Sequence, residues 1–291
     1  MDTKELLKRV RKIELKTRGL SNQIFSGEYH SAFKGSGMAF SEVREYIPGD
    51  EIRKIDWNVT ARLNNTYVKV FDEERELTVM LLIDLSGSGE FGTKKQPKRE
   101  LLTEIAAVLA FSAIQNNDKI GAIFFTDKIE KFIAPKKGKS HTLLIIRELI
   151  DFTPENKGTN LSEPLKFLSS VIKKRSIVFM LSDFLADGFE DALKIANKKH
   201  DVVALNIYDD HEKMLLNIGL VPFKDPETEK VYWVDTSDKK VRNKFKAQML
   251  RQKGELKDLF RRSGVDYAEI ATHENYVKPL MNLFKQREAR R

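Results

Sequence analysis

Three short polar segments carry the residues of this sequence that could do chemistry. They are Asp84-Leu-Ser86-Gly-Ser88, Gly158-Thr159-Asn160 and Ser182-Asp183. Their carboxylate and hydroxyl oxygens suit a hard cation, Mg²⁺ or Mn²⁺, and do not suit Zn²⁺ or copper. An ion held there would keep an exchangeable position, because Mg²⁺ usually retains waters. With only two protein carboxylates the ion would stay electrophilic, so it could accept an Asp or Glu from a protein partner. The predicted metal ligands are Asp84, Ser86, Ser88, Thr159 and Asp183.

Alternating buried strands and amphipathic helices must position these segments. The apolar pattern predicts strands at 77–83, 120–125, 129–134, 176–181, 202–208 and 266–271, and helices at 97–115, 141–151, 161–173, 188–199, 239–262 and 276–287. This alternation predicts an α/β fold with a doubly wound, mostly parallel sheet and helices on both faces. Ligands of such sheets bind beyond the carboxyl ends of the strands, so the three polar segments should converge on one edge. Asn160 and Glu163 have the spacing of a capping box.

The first quarter of the chain has a different pattern. Residues 2–18 predict an amphipathic helix, and glycines with short apolar alternations over 21–71 predict a small, partly β module. We therefore expect two domains, 1–74 and 75–291. Arg44, Asp50, Arg53 and Asp56 could form a buried ion-pair network or a partner surface, and we favour the structural role.

Composition limits the classes of function. Apolar residues make up 41% and charged residues 32%, which is globular, and we find neither a signal peptide nor a run of ~20 apolar residues. We therefore expect a cytoplasmic protein without a membrane span. The sequence has no cysteine, which excludes disulfides and thiolate metal sites.

The net charge of +8 raises an alternative function, electrostatic binding of nucleic acid or an anionic membrane surface. The excess is concentrated in the first twenty residues and in residues 238–262. No aromatic residues interleave with the basic face of the 239–262 helix, so we expect a solvated covering helix and no nucleic acid partner.

Two catalytic patterns fail in context. Residues 87–92 match GxGxxG, but the next helix begins near Pro97 and no acidic residue ends the following strand, so dinucleotide binding is not expected. Haloacid-dehalogenase-type phosphatases also have an aspartate at the end of their first strand, as Asp84 is here. Those enzymes need a second aspartate two residues later, and Ser86 occupies that position in this sequence. We predict that the protein is not an enzyme; a metal-dependent phosphohydrolase is the third hypothesis.

The order of Asp84-x-Ser86-x-Ser88, Thr159 and Asp183 resembles the metal-ion-dependent adhesion site of von Willebrand factor type A domains, over about residues 75–291. Gly89 departs from that pattern, which often has Met there, at a position that is not a ligand. The segment from Gly35 to Trp57, GSGMAFSEVREYIPGDEIRKIDW, followed by Ala61-Arg62, resembles the signature of the bacterial domain-of-unknown-function-58 family.

These resemblances imply a von Willebrand factor type A-like domain that binds Mg²⁺ or Mn²⁺ and a partner carboxylate. In the domain-of-unknown-function-58 family, the genes often lie beside those of MoxR-type AAA+ ATPases. The function expected from this resemblance is a non-enzymatic, metal-dependent protein-protein interaction module, an adaptor that works with such an ATPase in protein assembly or maturation.

Overall fold

The structure is a computed structural model that describes residues 39–63, 65–72, 77–90, 97–224 and 231–290. The helix predicted over residues 2–18 lies outside these residues. The chain divides into two compact units, one over Lys34–Leu77 and one that contains Thr78–Arg291. Within the described ranges, no helix combines the length and the apolar character that crossing a membrane requires.

The smaller unit contains an antiparallel pair of strands, β1 (Ala39–Glu45) and β2 (Tyr67–Asp72). A 3₁₀ turn (Ile52–Lys54) and a short helix, α1 (Trp57–Leu63), connect the two strands. The Asp56 carboxylate accepts hydrogen bonds from the first amides of α1, which caps this helix.

The charged residues of this unit form separate pairs and not one buried network. Arg44 donates to both carboxylate oxygens of Asp50, at 2.8 and 2.6 Å, and Asp50 also accepts the Ile47 amide. Asp56 lies 3.4 Å from the Lys69 Nζ, and Arg53 is exposed. These contacts stabilise local turns and a helix start.

The larger unit is built on a sheet that has six strands among the described residues. They are β3 (Thr78–Asp84), β4 (Lys119–Phe125), β5 (Ile129–Lys136), β6 (Ile177–Ser182), β7 (Asp201–Tyr208) and β10 (Asp266–Ala271). Between β7 and β10, the strands β8 (Leu220–Lys224) and β9 (Val231–Asp235) form a separate hairpin. The order of the six strands in the sheet is β10-β7-β6-β3-β4-β5, and only the edge strand β5 runs antiparallel to its neighbour.

Helices cover both faces of this sheet. They are α2 (Lys98–Gln115), α3 (Lys139–Asp151), α4 (Ser162–Val171), α5 (Glu190–Lys199), α6 (Lys239–Arg262) and α7 (Val277–Ala289). Met80 and Met180 pack in one core cluster with side chains of α4, α5 and α6. Phe179 points to the opposite face, where its ring contacts Phe284 of α7. The predicted α/β, doubly wound and mostly parallel fold is therefore confirmed.

The predicted elements of the larger unit begin and end within two residues of the observed ones, and α6 and β10 match at both ends. The sequence pattern missed α1, which has seven residues, and the β8–β9 hairpin. Pro222 lies inside β8, and a proline within an apolar run argues against a strand. The sequence of residues 220–224 therefore did not predict a strand.

Candidate metal centre

Asp84 and Ser182 are the last residues of two neighbouring parallel strands, β3 and β6. The register pairs Ile83 with Leu181, so the two strands end side by side. A cavity lies at this edge of the sheet, where open α/β sheets bind ligands. Four of the five predicted ligands line it; the lining residues are Asp84, Ser86, Ser88, Gly89, Lys98, Leu102, Ser182, Asp183 and Ile207.

Asp84 is a buried carboxylate whose direction is fixed by hydrogen bonds. Its Oδ1 accepts from the Ser86 amide at 3.0 Å, and its Oδ2 accepts from the Ser182 hydroxyl at 2.5 Å. Burial, and then the negative charge of Asp183, raise the pKa of Asp84 to about 6, although the hydrogen bonds lower it. In the described part of the chain, no Lys or Arg forms an ion pair with Asp84.

The two serine hydroxyls lie close to each other beside Asp84. The chain turns through a 3₁₀ segment (Gly87–Glu90), and the Oγ atoms of Ser86 and Ser88 are 3.2 Å apart. Two neighbouring ligands of an octahedral ion with metal–oxygen distances of about 2.1 Å would be about 3 Å apart. The spacing of these hydroxyls therefore fits coordination of one small cation.

Lys98, at the start of α2, places an ammonium group in the cavity. Its Nζ donates to Asp183 Oδ2 at 2.8 Å and to Glu212 Oε1 at 2.6 Å, and its side chain is only 2% exposed. Burial lowers the pKa of Lys98, but the charges of Asp183 and Glu212 outweigh burial and raise it. The ammonium therefore stays charged and holds Asp183 in place.

Glu212 reaches the site from a 3₁₀ turn (Asp210–Lys213) that follows β7. Its Oε2 accepts from the Asp209 amide at 3.1 Å in a capping box, which leaves Oε1 for Lys98. Asp209 in turn accepts from the Thr272 hydroxyl just after β10. This chain of bonds connects the site to the end of the edge strand β10.

Thr159, the fifth predicted ligand, does not line the cavity. Its loop lies next to the Asp84 loop, because the Gly87 amide donates to Lys157 O at 2.9 Å. Asn160 Oδ1 accepts from the amides of Ser162 and Glu163, as one half of the expected capping box. The Asn160 amide donates to Thr126 O, so it is not the partner of Glu163.

Among the residues that the structure describes, the charges of this site do not balance. The site contains three carboxylates, Asp84, Asp183 and Glu212, and one ammonium group, that of Lys98, which pairs with the last two. Buried charge is costly unless it is paired, so a divalent cation would complete the neutralisation. The carboxylate and hydroxyl donors fit Mg²⁺ or Mn²⁺. No group of three or more His, Cys, Asp or Glu side chains that could hold a metal occurs in the described ranges, so hydroxyls would have to supply part of the coordination.

The contributions of Lys98, Glu212 and the Ser182 hydroxyl to the site were not predicted from the sequence. A signal for Lys98 was present, because it precedes the buried Leu102 and Ile105 by four and seven residues. That spacing places Lys98 on the buried face of α2, where a lysine requires an anionic partner. The Glu212 contact joins residues 114 positions apart, and no local pattern predicts it.

Known proteins resemble this chain in sequence and fold. The uncharacterized protein Rv1480 of Mycobacterium tuberculosis is 24% identical over 290 residues, 99% of this chain and 91% of the relative. The uncharacterized protein YeaD of Bacillus subtilis is 28% identical over 132 residues, 45% of this chain and 29% of YeaD. The crystal structure of an aerotolerance-related membrane protein from Bacteroides fragilis, which carries multiple mutations to serines, matches this chain with a TM-score of 0.50 and 14% sequence identity. The match covers 74% of this chain and 100% of that one. This last likeness shows the fold alone.

The family match covers most of both units. Residues 42–255 include the last 16 of the 23 residues of the Gly35 to Trp57 signature, the Asp84 loop, Lys98 and both residues that Lys98 contacts. The chain therefore belongs to the family described as "Protein of unknown function DUF58".

Proposed function

We propose that this protein is a non-enzymatic, metal-dependent protein-protein interaction module. The observation that carries the proposal is the excess negative charge at an edge lined with carboxylate and hydroxyl oxygens. Asp84, Ser86 and Ser88 would hold Mg²⁺ or Mn²⁺, with Asp183 and Thr159 completing the set. When bound, the ion supplies an open position for an Asp or Glu of the partner.

The protein's own residues prepare the site. Ser182 and the Ser86 amide orient the Asp84 carboxylate. Lys98 fixes the position of Asp183 and reduces the negative charge beside the two serines. The lysine therefore lowers the affinity for the ion while keeping the apo site folded, which suits a site that is completed by a partner's carboxylate.

The partner implied by the family resemblance is a MoxR-type AAA+ ATPase, with this protein as an adaptor in assembly or maturation in the cytoplasm. The test is direct binding of the full chain to such an ATPase from the same organism, by calorimetry, in Mg²⁺ and in EDTA. We expect binding in Mg²⁺ only, and loss of binding in Asp84→Asn. Asp187→Asn, which changes an exposed carboxylate in the loop after the neighbouring strand β6, is the matched control and should bind as the wild type does. Equal binding in EDTA would contradict a metal bridge.

A metal-dependent phosphohydrolase remains the competing proposal, because Asp84, Lys98 and Asp183 line one cavity. Ser86, two residues after Asp84, cannot transfer a proton as a carboxylic acid does, and this difference disfavours the competing proposal. We expect no hydrolysis of p-nitrophenyl phosphate with Mg²⁺. Turnover that disappears in Asp84→Asn would favour the hydrolase.

A further inference from the structure

The β8–β9 hairpin exposes an unusual amount of apolar surface. Of the eighteen large apolar side chains that are exposed in the described residues, eight lie within residues 214–233. Six of these, with exposures of 41% to 67%, define the hairpin patch: Ile218, Leu220, Phe223, Val231, Tyr232 and Trp233. Apolar clusters of this kind mark binding surfaces on soluble domains.

Both faces of the hairpin carry exposed aromatic side chains. Trp233 pairs with Pro222 and Tyr232 pairs with Phe223, and successive residues of a strand point to opposite faces. The base of the hairpin is fixed, because the Thr236 hydroxyl donates to Gly219 O at 2.6 Å and Thr236 is fully buried. The hairpin therefore presents its patch from a rigid base.

Basic side chains lie beside this base. Arg242, in the first turns of α6, donates to the backbone oxygens of Thr236 and Ser237 at 2.6 and 2.8 Å. Helix α6 carries ten basic and two acidic side chains, an excess equal to the net charge of the chain. The basic residues of its C-terminal half form ion pairs, as Arg251 does with Glu255 and Lys253 with Glu269.

Four lysines near the start of α6 are exposed and have no ion pair with any described residue. They define the lysine cluster: Lys239, Lys240, Lys244 and Lys246. The unpaired positive charge of α6 is therefore concentrated at the end of the helix that joins the hairpin.

We propose that the hairpin patch and the lysine cluster together bind the surface of an anionic lipid bilayer. Trp233 is of a type that favours the membrane interface, and it lies on the same face of the hairpin as Leu220 and Val231. The lysines near the start of α6 attract anionic headgroups. Aliphatic Ile218, Leu220 and Val231 gain by entering the acyl region, whereas nucleic acid bases would gain only from the aromatic rings. Residues 225–230, which carry three carboxylates, lie outside the residues that the structure describes. The proposal does not depend on the metal site.

The fluorescence of Trp233 tests this proposal in the full chain. The protein has two tryptophans, so Trp57→Phe leaves Trp233 as the single reporter. We expect a blue shift, with quenching by brominated acyl chains, on adding vesicles of phosphatidylglycerol and phosphatidylcholine. Vesicles of phosphatidylcholine alone should bind more weakly, and high salt should reduce binding to the anionic vesicles.

Substitutions on this background separate the two parts of the surface. Lys239→Gln and Lys240→Gln should each lower the vesicle partition coefficient by about fivefold. Leu220→Asn should lower it by about tenfold or more. The matched controls are Lys198→Gln and Ile195→Asn, which change exposed residues of α5 and should bind as the parent does. All five side chains are exposed, so the variants should fold, and circular dichroism checks that they do.

Three results would overturn the proposal. The first is no spectral shift with anionic vesicles, or equal binding to both vesicle types. The second is a blue shift without vesicles that grows with protein concentration together with the mass from light scattering, which would assign the patch to a second copy of this chain. The third is quenching of Trp233 by a single-stranded oligonucleotide at concentrations where vesicles have no effect.

Discussion

The strand-end cavity and the β8–β9 hairpin depart from ordinary burial in opposite directions. The cavity buries the charged side chains Asp84 and Lys98, whereas the hairpin exposes Leu220 and Trp233. Both arrangements are unfavourable in an isolated domain, because charge is costly to bury and apolar surface is costly to expose. The cavity compensates with dense hydrogen bonds and ion pairs, whereas the exposed side chains of the hairpin have no comparable compensation within the described chain.

This difference separates two kinds of binding surface. In the cavity, each substitution should disturb the fold, because the charged groups depend on one another. On the hairpin, substitutions should leave the fold intact and change only what the surface binds. Stability measurements can therefore distinguish the two regions without any knowledge of their ligands.

Lys98→Met should have the largest effect on stability. It leaves Asp183 and Glu212 partly buried without their cation, and breaking a buried pair in this way costs about 3–5 kcal/mol of unfolding free energy. Urea denaturation measures the loss, with Lys198→Met, at an exposed position of α5, as the control. Mg²⁺ should restore more stability to Lys98→Met than to the wild type, because the positive charge next to the ion is gone. A loss below about 1 kcal/mol would show that the pair is not an essential part of the cavity.

The pH dependence of stability should reveal Asp84. Its pKa is raised from 3.8 to about 6 in the folded protein, so the native state binds more protons than the unfolded state between these values. The contribution of Asp84 is complete below about pH 4 and is lost as the pH rises to about 6, a decrease of roughly 3 kcal/mol relative to Asp84→Asn. Urea denaturation of both proteins from pH 4 to pH 7 without metal measures it. Parallel curves would contradict the raised pKa.

Ser182→Ala should have an intermediate effect. The substitution removes the hydroxyl that donates to Asp84 Oδ2, and a lost hydrogen bond to a buried charged group costs about 1.5–3 kcal/mol. It should also raise the pKa of Asp84 further, because that hydrogen bond favours the charged form. Ser170→Ala is the control, since the Ser170 hydroxyl donates to a backbone oxygen on an exposed helix end. Equal losses in the two variants would show that Ser182 does not orient Asp84.

Trp233→Ser should have the smallest effect on stability. The side chain is 67% exposed, so its removal should change the unfolding free energy by no more than about 0.5 kcal/mol. Urea denaturation monitored by circular dichroism measures this change. A loss as large as that of Ser182→Ala would mean that the hairpin packs on the body of the protein and is not a free surface.

The sequence was sufficient to predict the larger unit, because its elements are buried and buried elements have periodic apolar patterns. The five-residue core of β3, Val79 to Ile83, is fully buried, and the predicted strand differs from the observed one by one residue at each end. The hairpin was missed for the opposite reason. Its side chains are exposed on both faces, so no apolar alternation distinguishes it from a loop.

Four of the five predicted metal ligands line one cavity, whereas the long-range contacts of that cavity were not predicted from the sequence. Asp84, Ser86, Ser88 and Asp183 meet because parallel strands end at one edge, which the strand pattern already implies. Lys98 is 85 residues from Asp183 and 114 from Glu212, and such pairings depend on how helices pack on the sheet. Thr159 stands on a loop near the cavity but outside its lining, so its role as a ligand stays a prediction.

The central claim is that Asp84 belongs to a divalent metal site. Thermal unfolding of the wild type and Asp84→Ala, each in Mg²⁺, Mn²⁺ or EDTA, tests it most directly. At ten times its dissociation constant the metal should stabilise the wild type by about 1.4 kcal/mol and leave Asp84→Ala unchanged. Equal stabilisation of both proteins, or none in the wild type at any metal concentration, would contradict the claim.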